Sequence, residues 1–386
     1  MKKIGLLPKI LIAIALGIVF GLFLPDVLTR VFVTFKSLFG TFLSFVIPLL
    51  ILGLVVPGIA NLGNKAGRLL AITVALAYIF TLFSGFLSMG TCRAIFPYLI
   101  DSSNTVNISE STNSYAPFFT IQMEPIMDIM ATLILSFILG LGIALCNGES
   151  LKRGVNEFSV IITKLIERII IPCLPLYIFS IFLEMTKVGQ VAPVLSVFIK
   201  IIVVIFAMTA VLLIIQFTIA GLYAKKNPFK MLKTMLPAYA TALGTQSSAA
   251  TIPVTYAQAV KMGVSEPIAG FVIPLCATIH LSGSVMKIVA CSLAIMVMTG
   301  MPLDVWGYVG FIFILGITMV AAPGVPGGAI MAALAPLQSM LGFGEVEQGL
   351  MIALYIAMDS FGTATNVTGD GSIAVIMDKL SAKKNI

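Results

Sequence analysis

Four polar residues recur at helical spacing in an apolar segment near the C-terminus, and their side chains are suited to binding a cation. They are Asp359, Thr363, Asn366 and Asp370. Because the spacings are four, three and four residues, the side chains fall on one face of a helix. A carboxylate in an apolar helix is costly unless a cation or a polar partner meets it. The pattern therefore predicts a functional binding face, and the alternative is a permanent ion pair with Lys287 or another protein cation.

A second candidate site is the polar, glycine-containing segment that interrupts the apolar run over 268–298. It includes Thr278, His280 and Ser282. Unwinding of a helix at this point would free backbone carbonyls for a hard cation such as sodium, which prefers oxygen ligands. His280 is the only histidine of the chain. It could be a hydrogen-bonded packing residue, or it could relay a proton or contact the substrate.

A third candidate is the turn around Ser247, Ser248 and Ala249. It offers hydroxyl groups and exposed backbone N–H groups at the start of a short helix. The positive end of a helix dipole favours a carboxylate there. The turn therefore predicts a site for an anionic substrate group opposite the acidic helix.

The composition places these residues in a membrane protein. Of 386 residues, 59% are hydrophobic and only 10% are charged, which is far from an ordinary soluble domain. The net charge of +7 comes from scattered basic residues, so the chain is not predicted to bind nucleic acid. The sequence offers no nucleophile and base pair, no metal cluster and no phosphate loop, which argues against an enzyme.

Eight apolar stretches are long enough to cross about 30 Å of hydrocarbon, at roughly 20 residues each. They cover 6–24, 38–60, 69–92, 126–146, 160–185, 191–222, 268–298 and 349–377. The first stretch is not followed by the small residues of a signal-peptide cleavage site, so we expect an uncleaved span and not a signal peptide. Lysine and arginine concentrate in alternate short loops, which predicts that both termini are cytoplasmic. The polar segment 101–122 is predicted to be an extracellular loop.

Two further apolar segments, 228–265 and 303–342, have return arms that are too short to cross the bilayer. The first turns at Ser247 and Ser248, and the second is broken at 322–328. Irregular backbone at membrane depth is tolerated where it is buried in protein or lines a watery cavity. The two segments predict re-entrant hairpins of an inverted repeat with the substrate between their tips. Two proline-kinked ordinary helices are the alternative.

Three motifs in order resemble the dicarboxylate/amino acid:cation symporter family, which has the glutamate-transporter fold. They are Ser-Ser-Ala-Ala-Thr-Ile-Pro-Val-Thr at 247–255, Gly-Val-Pro-Gly-Gly at 324–328 and Asn-Val-Thr-Gly-Asp at 366–370. The resemblance covers nearly the whole chain. It implies an all-α polytopic membrane protein with eight transmembrane helices, two re-entrant hairpins and inverted repeats. It also implies a homotrimer that works as an elevator-type carrier.

The resemblance further implies a division into a scaffold and a moving transport domain. The scaffold would comprise 1–64, with the trimerisation helices, and 94–188, with the loop 101–122. The transport domain would comprise the helix 65–93 and the segment 189–386. Within 189–386 we expect a hairpin over 228–265, a broken helix over 266–298, a hairpin over 303–342 and a last helix over 345–378.

The resemblance assigns roles to individual positions. Asp359 is expected to bind the substrate amino group, Thr363 and Asn366 to contact the substrate, and Ser248 with the neighbouring tip residues to bind the α-carboxylate. The substrate candidates are Ser247, Ser248, Ala249, Thr278, Val325, Pro326, Gly327, Asp359, Gly362, Thr363 and Asn366. Sodium is expected at Asp370 and nearby backbone carbonyls. The cation candidates are Cys276, His280, Asn366, Asp370, Thr278 and Ser282, with Tyr78 and Thr81 at a deeper site.

Two departures from the family pattern narrow the expected function. Members that carry acidic substrates have an arginine where this chain has Gly362, so we predict against glutamate, aspartate and dicarboxylates. The family's Asn-Met-Asp-Gly-Thr motif reads His280-Leu281-Ser282-Gly283-Ser284 here. This difference predicts fewer coupled sodium ions, and His280 could carry a proton instead.

We therefore predict a symporter of a small neutral amino acid in the bacterial inner membrane, coupled to sodium and/or protons, with no other cofactor. The alternatives are a carrier of another small polar metabolite or carboxylate, proton-coupled or exchange-type, and a passive anion channel on the same fold. The expected partners are the small-molecule substrate, the lipid bilayer and two further copies of the chain.

Overall fold

The computed structural model describes residues 5–62, 68–100, 115–146, 148–320, 322 and 326–384. Every regular element in this part of the chain is helical. The helices are α1 (Leu6–Phe23), α2 (Asp26–Leu62), α3 (Arg68–Leu99), α4 (Ile129–Cys146), α5 (Glu149–Leu165), α6 (Ile171–Lys187), α7 (Val191–Ala224), α8 (Pro228–Thr245), α9 (Ser248–Lys261), α10 (Glu266–Ile279), α11 (Ser282–Thr299), α12 (Val305–Val320), α13 (Gly328–Leu341), α14 (Glu345–Ala357) and α15 (Asp359–Lys384).

Several of these helices are suited to spanning a membrane. Among the described residues, six helical segments are long and apolar enough to cross it, or seven if the bent pair α14 and α15 is one span. One of the six is Glu149–Lys187, in which a π-helical turn over Ile166–Ile170 joins α5 to α6. The predicted class, an all-α polytopic membrane protein, is confirmed.

The first predicted hairpin consists of α8 and α9, which pack against each other. Asn227 accepts a hydrogen bond from the Lys230 N–H and Pro228 starts the helix, an arrangement typical of helix N-termini. The chain turns at Gln246, whose φ is +53°. At 1.5 Å per residue, α8 is about 27 Å long and α9 about 21 Å. Both are shorter than the hydrocarbon core.

The second predicted hairpin consists of α12 and α13. Asp304 accepts hydrogen bonds from the N–H groups of Trp306 and Gly307 at the start of α12. Gly327 precedes α13 with φ +77°, a backbone conformation that favours glycine. Of the predicted tip residues, Pro326 and Gly327 are described, whereas Val325 lies outside the described residues.

Two helical segments are interrupted, one at the buried His280 and the other next to the buried Asp359. The break between α10 and α11 falls at His280 and Leu281, within the polar interruption that the sequence indicated. The second break, at Met358, bends α14 against α15 by 62°. A single last helix over 345–378 was expected from the sequence, and the bend is a feature that was not predicted. It places the Met358 carbonyl within hydrogen-bonding distance of the Lys287 side chain on α11.

The packing brings α15 into the centre of a group of helices. It contacts α3, α7, α8, α9, α10, α11 and α14. A second group, α1, α2, α4, α5 and α6, packs around α2 and α6. Described residues of the predicted extracellular loop lie along α2, where the Phe118 N–H donates to the Thr34 hydroxyl. One helix break directly precedes α15, and the other lies against it at Asn366. The polar side chains of Asp359, Thr363, Asn366 and Asp370 are buried on α15.

Candidate functional site

Asn366 joins α15 to the broken end of α11. Its Oδ1 accepts hydrogen bonds from the N–H groups of Gly283 at 2.7 Å and Ser284 at 3.3 Å. Its Nδ2 donates to the Ser284 Oγ at 3.1 Å. The first N–H groups of a helix have no partner within the helix. A side chain from another helix therefore caps α11 and fixes the position of the break.

Asp359 begins α15 and has partners on two other elements. Its Oδ2 accepts a hydrogen bond from the Gly327 N–H at 2.8 Å, directly before α13. Its Oδ1 lies 3.8 Å from the Lys287 Nζ. This ion pair is the alternative that the sequence left open for Asp359. The carboxylate thus contacts both the α12–α13 tip and the broken helix α10–α11.

Lys287 is fully buried on α11. Its Nζ donates to the Met358 carbonyl at 3.0 Å and lies 4.0 Å from the centre of the Tyr355 ring. An ammonium over an aromatic face is stabilised by the ring quadrupole. The lysine therefore has three favourable contacts at the bend between α14 and α15.

The structure corrects one inference drawn from Gly362. The missing arginine predicted that no cation near this position could neutralise a side-chain carboxylate of the substrate. A Cβ atom on Gly362 would lie 2.2 Å from both Cε and Nζ of Lys287. The lysine of α11 therefore occupies the space of the missing side chain, and its charge faces Asp359. A larger residue at position 362 would push the end of the lysine side chain away from this space.

A small cavity of about 40 Å³ lies next to Asp359. Five of the predicted substrate residues line it, namely Ser248, Thr278, Asp359, Thr363 and Asn366. Gln246, Ala277, Leu281, Ser284, Ala322, Ala329 and Tyr355 complete the lining. The cavity therefore lies between the α8–α9 turn, the break between α10 and α11, the start of α13, and the end of α14 with the first half of α15.

The remaining predicted substrate residues lie outside this lining. The Ser247 hydroxyl accepts from the Ala250 N–H and caps α9, whereas Ala249 is exposed. Pro326 is half-buried, and Gly327 contacts Asp359 through its N–H. Gly362 faces Lys287. Ser247, Gly327 and Gly362 therefore each contact a residue or helix that lines the cavity or packs against its lining.

Asp370 is the second buried carboxylate on this face of α15. Its Oδ1 lies 2.8 Å from the His280 Nδ1, and both side chains are almost completely buried. The other ring nitrogen of His280 and the Asp370 Oδ2 have no hydrogen-bond partner. Buried polar atoms are nearly always satisfied in folded proteins. The arrangement therefore has capacity for a further ligand, such as a cation or water.

The oxygen atoms near this pair are suited to sodium. Gln216 donates from Nε2 to the Ser282 Oγ at 3.2 Å, and its Oε1 is buried without a partner. A Cβ on Gly369 would lie 2.6 Å from the His280 Cε1 and 2.7 Å from that Oε1, so the glycine allows both side chains to approach α15. In the described part of the chain, no group of three His, Cys, Asp or Glu side chains could hold a metal ion. A cation here would depend on amide, hydroxyl and carbonyl oxygens together with one carboxylate.

The other predicted cation residues are distributed unevenly around this pair. The Cys276 carbonyl accepts the His280 N–H at 2.9 Å, and Thr278 donates to the Leu275 carbonyl at the cavity. The Thr81 hydroxyl is buried without a partner, and the preceding Phe80 ring packs against His280. Tyr78 donates to the Phe313 carbonyl instead. Thr81 fits a deeper cation position better than Tyr78 does.

Sequence reasoning missed several polar residues that shape the site. Gln216 is the only amide side chain in the apolar helix α7, which is a signal that an intramembrane polar residue has a function. Gln246 donates to the Ser360 Oγ at 3.1 Å, and Tyr355 donates to the Ser284 Oγ at 3.0 Å. These contacts depend on helix packing, so no motif indicated them.

Comparison with known proteins agrees with the predicted family. A family model described as the sodium:dicarboxylate symporter family matches residues 6–380. The chain is also similar to the serine/threonine transporter SstT of Acinetobacter baylyi (strain ATCC 33305 / BD413 / ADP1), with 25% identity over 405 residues that cover 98% of each chain. Its similarity to the serine/threonine transporter SstT of Acinetobacter baumannii (strain AYE) is 28% over 405 residues, covering 98% of this chain and 97% of the relative. These findings confirm the resemblance, the predicted symporter function and the prediction that the chain is not an enzyme.

Proposed function

We propose a function for this chain from an established premise: it belongs to the sodium:dicarboxylate symporter family. The chain is a multi-pass transporter of the bacterial inner membrane. Its substrate is a small neutral amino acid, with serine and threonine as the first candidates because its relatives are serine/threonine transporters. Sodium is the coupling ion.

The observation that carries this proposal is the cavity beside Asp359. The carboxylate on one side is suited to the ammonium of an amino acid. On the other side, Ser248 and the N-terminus of α9 favour a carboxylate. Thr278, Thr363 and Asn366 add polar groups between them. This arrangement is complementary to a zwitterion with a small hydroxylated side chain.

We place sodium at Asp370. The unpartnered oxygens of Asp370 and Gln216 support this position, as do the backbone carbonyls around Cys276 and Asn366. Thr81 is a candidate for a second, deeper ion. His280 replaces the asparagine and Ser282 the aspartate of the family pattern. The number of coupled sodium ions is therefore smaller than in family members that have both of those residues.

The proposal includes an architecture of eight spans and two re-entrant hairpins in a homotrimer with cytoplasmic termini. The short lengths of α8, α9, α12 and α13 support the hairpins. The packing of α1, α2, α4, α5 and α6 around one another supports a scaffold formed by 1–64 and 94–188. In an elevator mechanism, 65–93 and 189–386 slide against that scaffold with the substrate.

Uptake of L-serine into proteoliposomes tests the proposal. We expect saturable uptake that requires an inward sodium gradient. Asp359→Asn should lower the affinity by about two to three and a half powers of ten, since loss of one partner of a buried charge pair costs about 3–5 kcal/mol. Asp378→Asn is the matched control, because Asp378 lies on the same helix and accepts hydrogen bonds from the N–H and the hydroxyl of Ser265, away from the cavity lining. It should keep the affinity of the unmodified protein.

Other outcomes would identify the alternative functions. Uptake that follows a proton gradient and ignores sodium would overturn the sodium assignment. A current that does not saturate would indicate an anion channel, and exchange without net uptake would indicate an exchanger. Unchanged serine affinity in Asp359→Asn would contradict the amino-acid assignment and favour another polar metabolite or carboxylate.

A further inference from the structure

Lys287 lies close to the cavity without being part of it. It is fully buried, and it is not among the residues that line the cavity. Its ammonium approaches Asp359 through Oδ1, while Asp359 itself borders the cavity. Two of its contacts, Asp359 and the Tyr355 ring, therefore stand between this cation and a solute in the cavity, and Asp359 is the one that carries charge.

The contact between Lys287 and Asp359 is loose. The separation of 3.8 Å is longer than a hydrogen bond, and the hydrogen bond from Nζ goes to the Met358 carbonyl instead. The ammonium is thus held by Met358 and by the Tyr355 ring, and it contributes charge to Asp359 without a hydrogen bond. A second ammonium could bind Asp359 from the cavity side while Lys287 keeps its other contacts.

A carrier must change the side to which its cavity opens both with and without its solute. A bound amino acid supplies an ammonium to Asp359 during the loaded step. During the return step no such ammonium is present, and an uncompensated buried carboxylate would be strongly unfavourable. A cation fixed to the protein would remove this difference between the two steps.

We propose that Lys287 is a positioning residue that acts through Asp359: a tethered cation that neutralises the carboxylate when no substrate ammonium is bound, and so permits the return of the unloaded carrier. Gly362 is the complementary residue, since it provides the space for the lysine. The inference rests on the proposed role of Asp359 as the site for the substrate ammonium.

The test compares two reactions of the same reconstituted protein. Exchange of external for internal L-serine uses only the loaded step, whereas net uptake also needs the return step. In Lys287→Gln, which keeps hydrogen-bond donors and loses the charge, net uptake should fall about tenfold or more relative to exchange, because the buried carboxylate is left uncompensated. The KM for exchange should be unchanged or lower, since the competing cation is gone.

Controls separate this effect from a loss of folding. The ratio of net uptake to exchange does not depend on the amount of active protein. Lys36→Gln breaks another ion pair, between α2 and α6 at Glu184, and should leave the ratio unchanged. If Lys287→Gln does not fold, Lys287→Met and Gly362→Ala give the same test, the latter by displacing the ammonium without removing it.

The outcomes distinguish the two proposals. A selective loss of net uptake in any folded variant of Lys287 or Gly362 supports the inference. Equal changes in exchange and net uptake, or no change in either, would overturn it while leaving serine transport established. If the unmodified protein shows no saturable serine exchange, the proposed function itself is wrong.

Discussion

The two buried carboxylates of α15, Asp359 and Asp370, differ in the basic side chain that each one meets. Asp359 and Asp370 lie on one face, about 16 Å apart along the helix at 1.5 Å per residue. Asp359 lies 3.8 Å from a lysine and lines a cavity. Asp370 lies 2.8 Å from a histidine and is not in that lining. The same residue type on the same face is thus placed in two different environments.

The difference indicates two kinds of ligand. Asp359 faces the Lys287 amine on one side and the cavity on the other, so it is open to an ammonium from the cavity. A histidine can be neutral near physiological pH, and Asp370 and His280 each keep one unpartnered polar atom. Asp359 also accepts a hydrogen bond from the Gly327 N–H at the start of α13, which links its occupancy to that helix. Asp370 lies in the middle of α15 among Gln216, His280 and Ser282, which is suited to a small ion.

The largest effect that separates the two carboxylates is expected from Asp370→Asn. Removal of this carboxylate should abolish stabilisation by sodium. Sodium at about 100 times its Kd stabilises a folded protein by about 2.7 kcal/mol. We expect NaCl to raise the apparent Tm of the unmodified protein relative to choline chloride, and to have no such effect on Asp370→Asn.

Asp378→Asn is the control for this comparison, since it has the same chemical change on the same helix. It should retain the sodium-dependent rise in Tm. If Asp370→Asn also retains that rise, the ion binds elsewhere, and the proposed contrast between the two carboxylates is wrong.

A smaller effect is expected from adding one methyl group beside the basic partner of each carboxylate, Lys287 for Asp359 and His280 for Asp370. Gly369→Ala would place Cβ against His280 and Gln216, and Gly362→Ala would place it against Lys287. Displacing either contact should change the quantity measured for that carboxylate about tenfold, equivalent to about 1.4 kcal/mol. For Asp370 this quantity is the sodium concentration that gives half-maximal uptake, and for Asp359 it is the ratio of net uptake to exchange. Gly369→Ala should weaken the dependence of uptake on sodium concentration, and Gly362→Ala should lower net uptake relative to exchange.

Gly90→Ala on α3 is the matched control, because a Cβ there meets nothing within 4 Å. It should change neither quantity. Sodium dependence that shifts equally in Gly362→Ala and Gly369→Ala would show that the two regions act as one site.

Local spacing predicted much of this region. The interval between Asp359 and Asp370 indicated one helical face, and the structure has these residues buried in one helix. The polar interruption at 278–284 indicated a broken helix, and the break is found at His280 and Leu281. Both features depend on residues that are neighbours in the chain, so their pattern is visible in the sequence.

Contacts between distant segments could not be read in this way. The bend at Met358 has no proline or glycine beside it, and it is stabilised in part by Lys287, 71 residues away. Gly362 alone suggested an absent cation, whereas the lysine that fills its space comes from α11. Only the packing of α11 against α15 reveals that the charge is supplied by another helix.

The smallest effect is expected from Tyr355→Phe, which tests what the aromatic residue contributes beside Lys287. The variant loses the hydrogen bond to the Ser284 Oγ and keeps the ring under the ammonium. Asn366 still donates to the same oxygen, so no buried acceptor is left unpaired. A hydrogen bond of this kind contributes about 0.5–1.5 kcal/mol, and we expect serine KM to rise less than about tenfold with an unchanged ratio of net uptake to exchange. Tyr355→Leu, which removes the ring, should lower that ratio as well; equal ratios in the two variants would show that the ring does not help to hold Lys287 near Asp359.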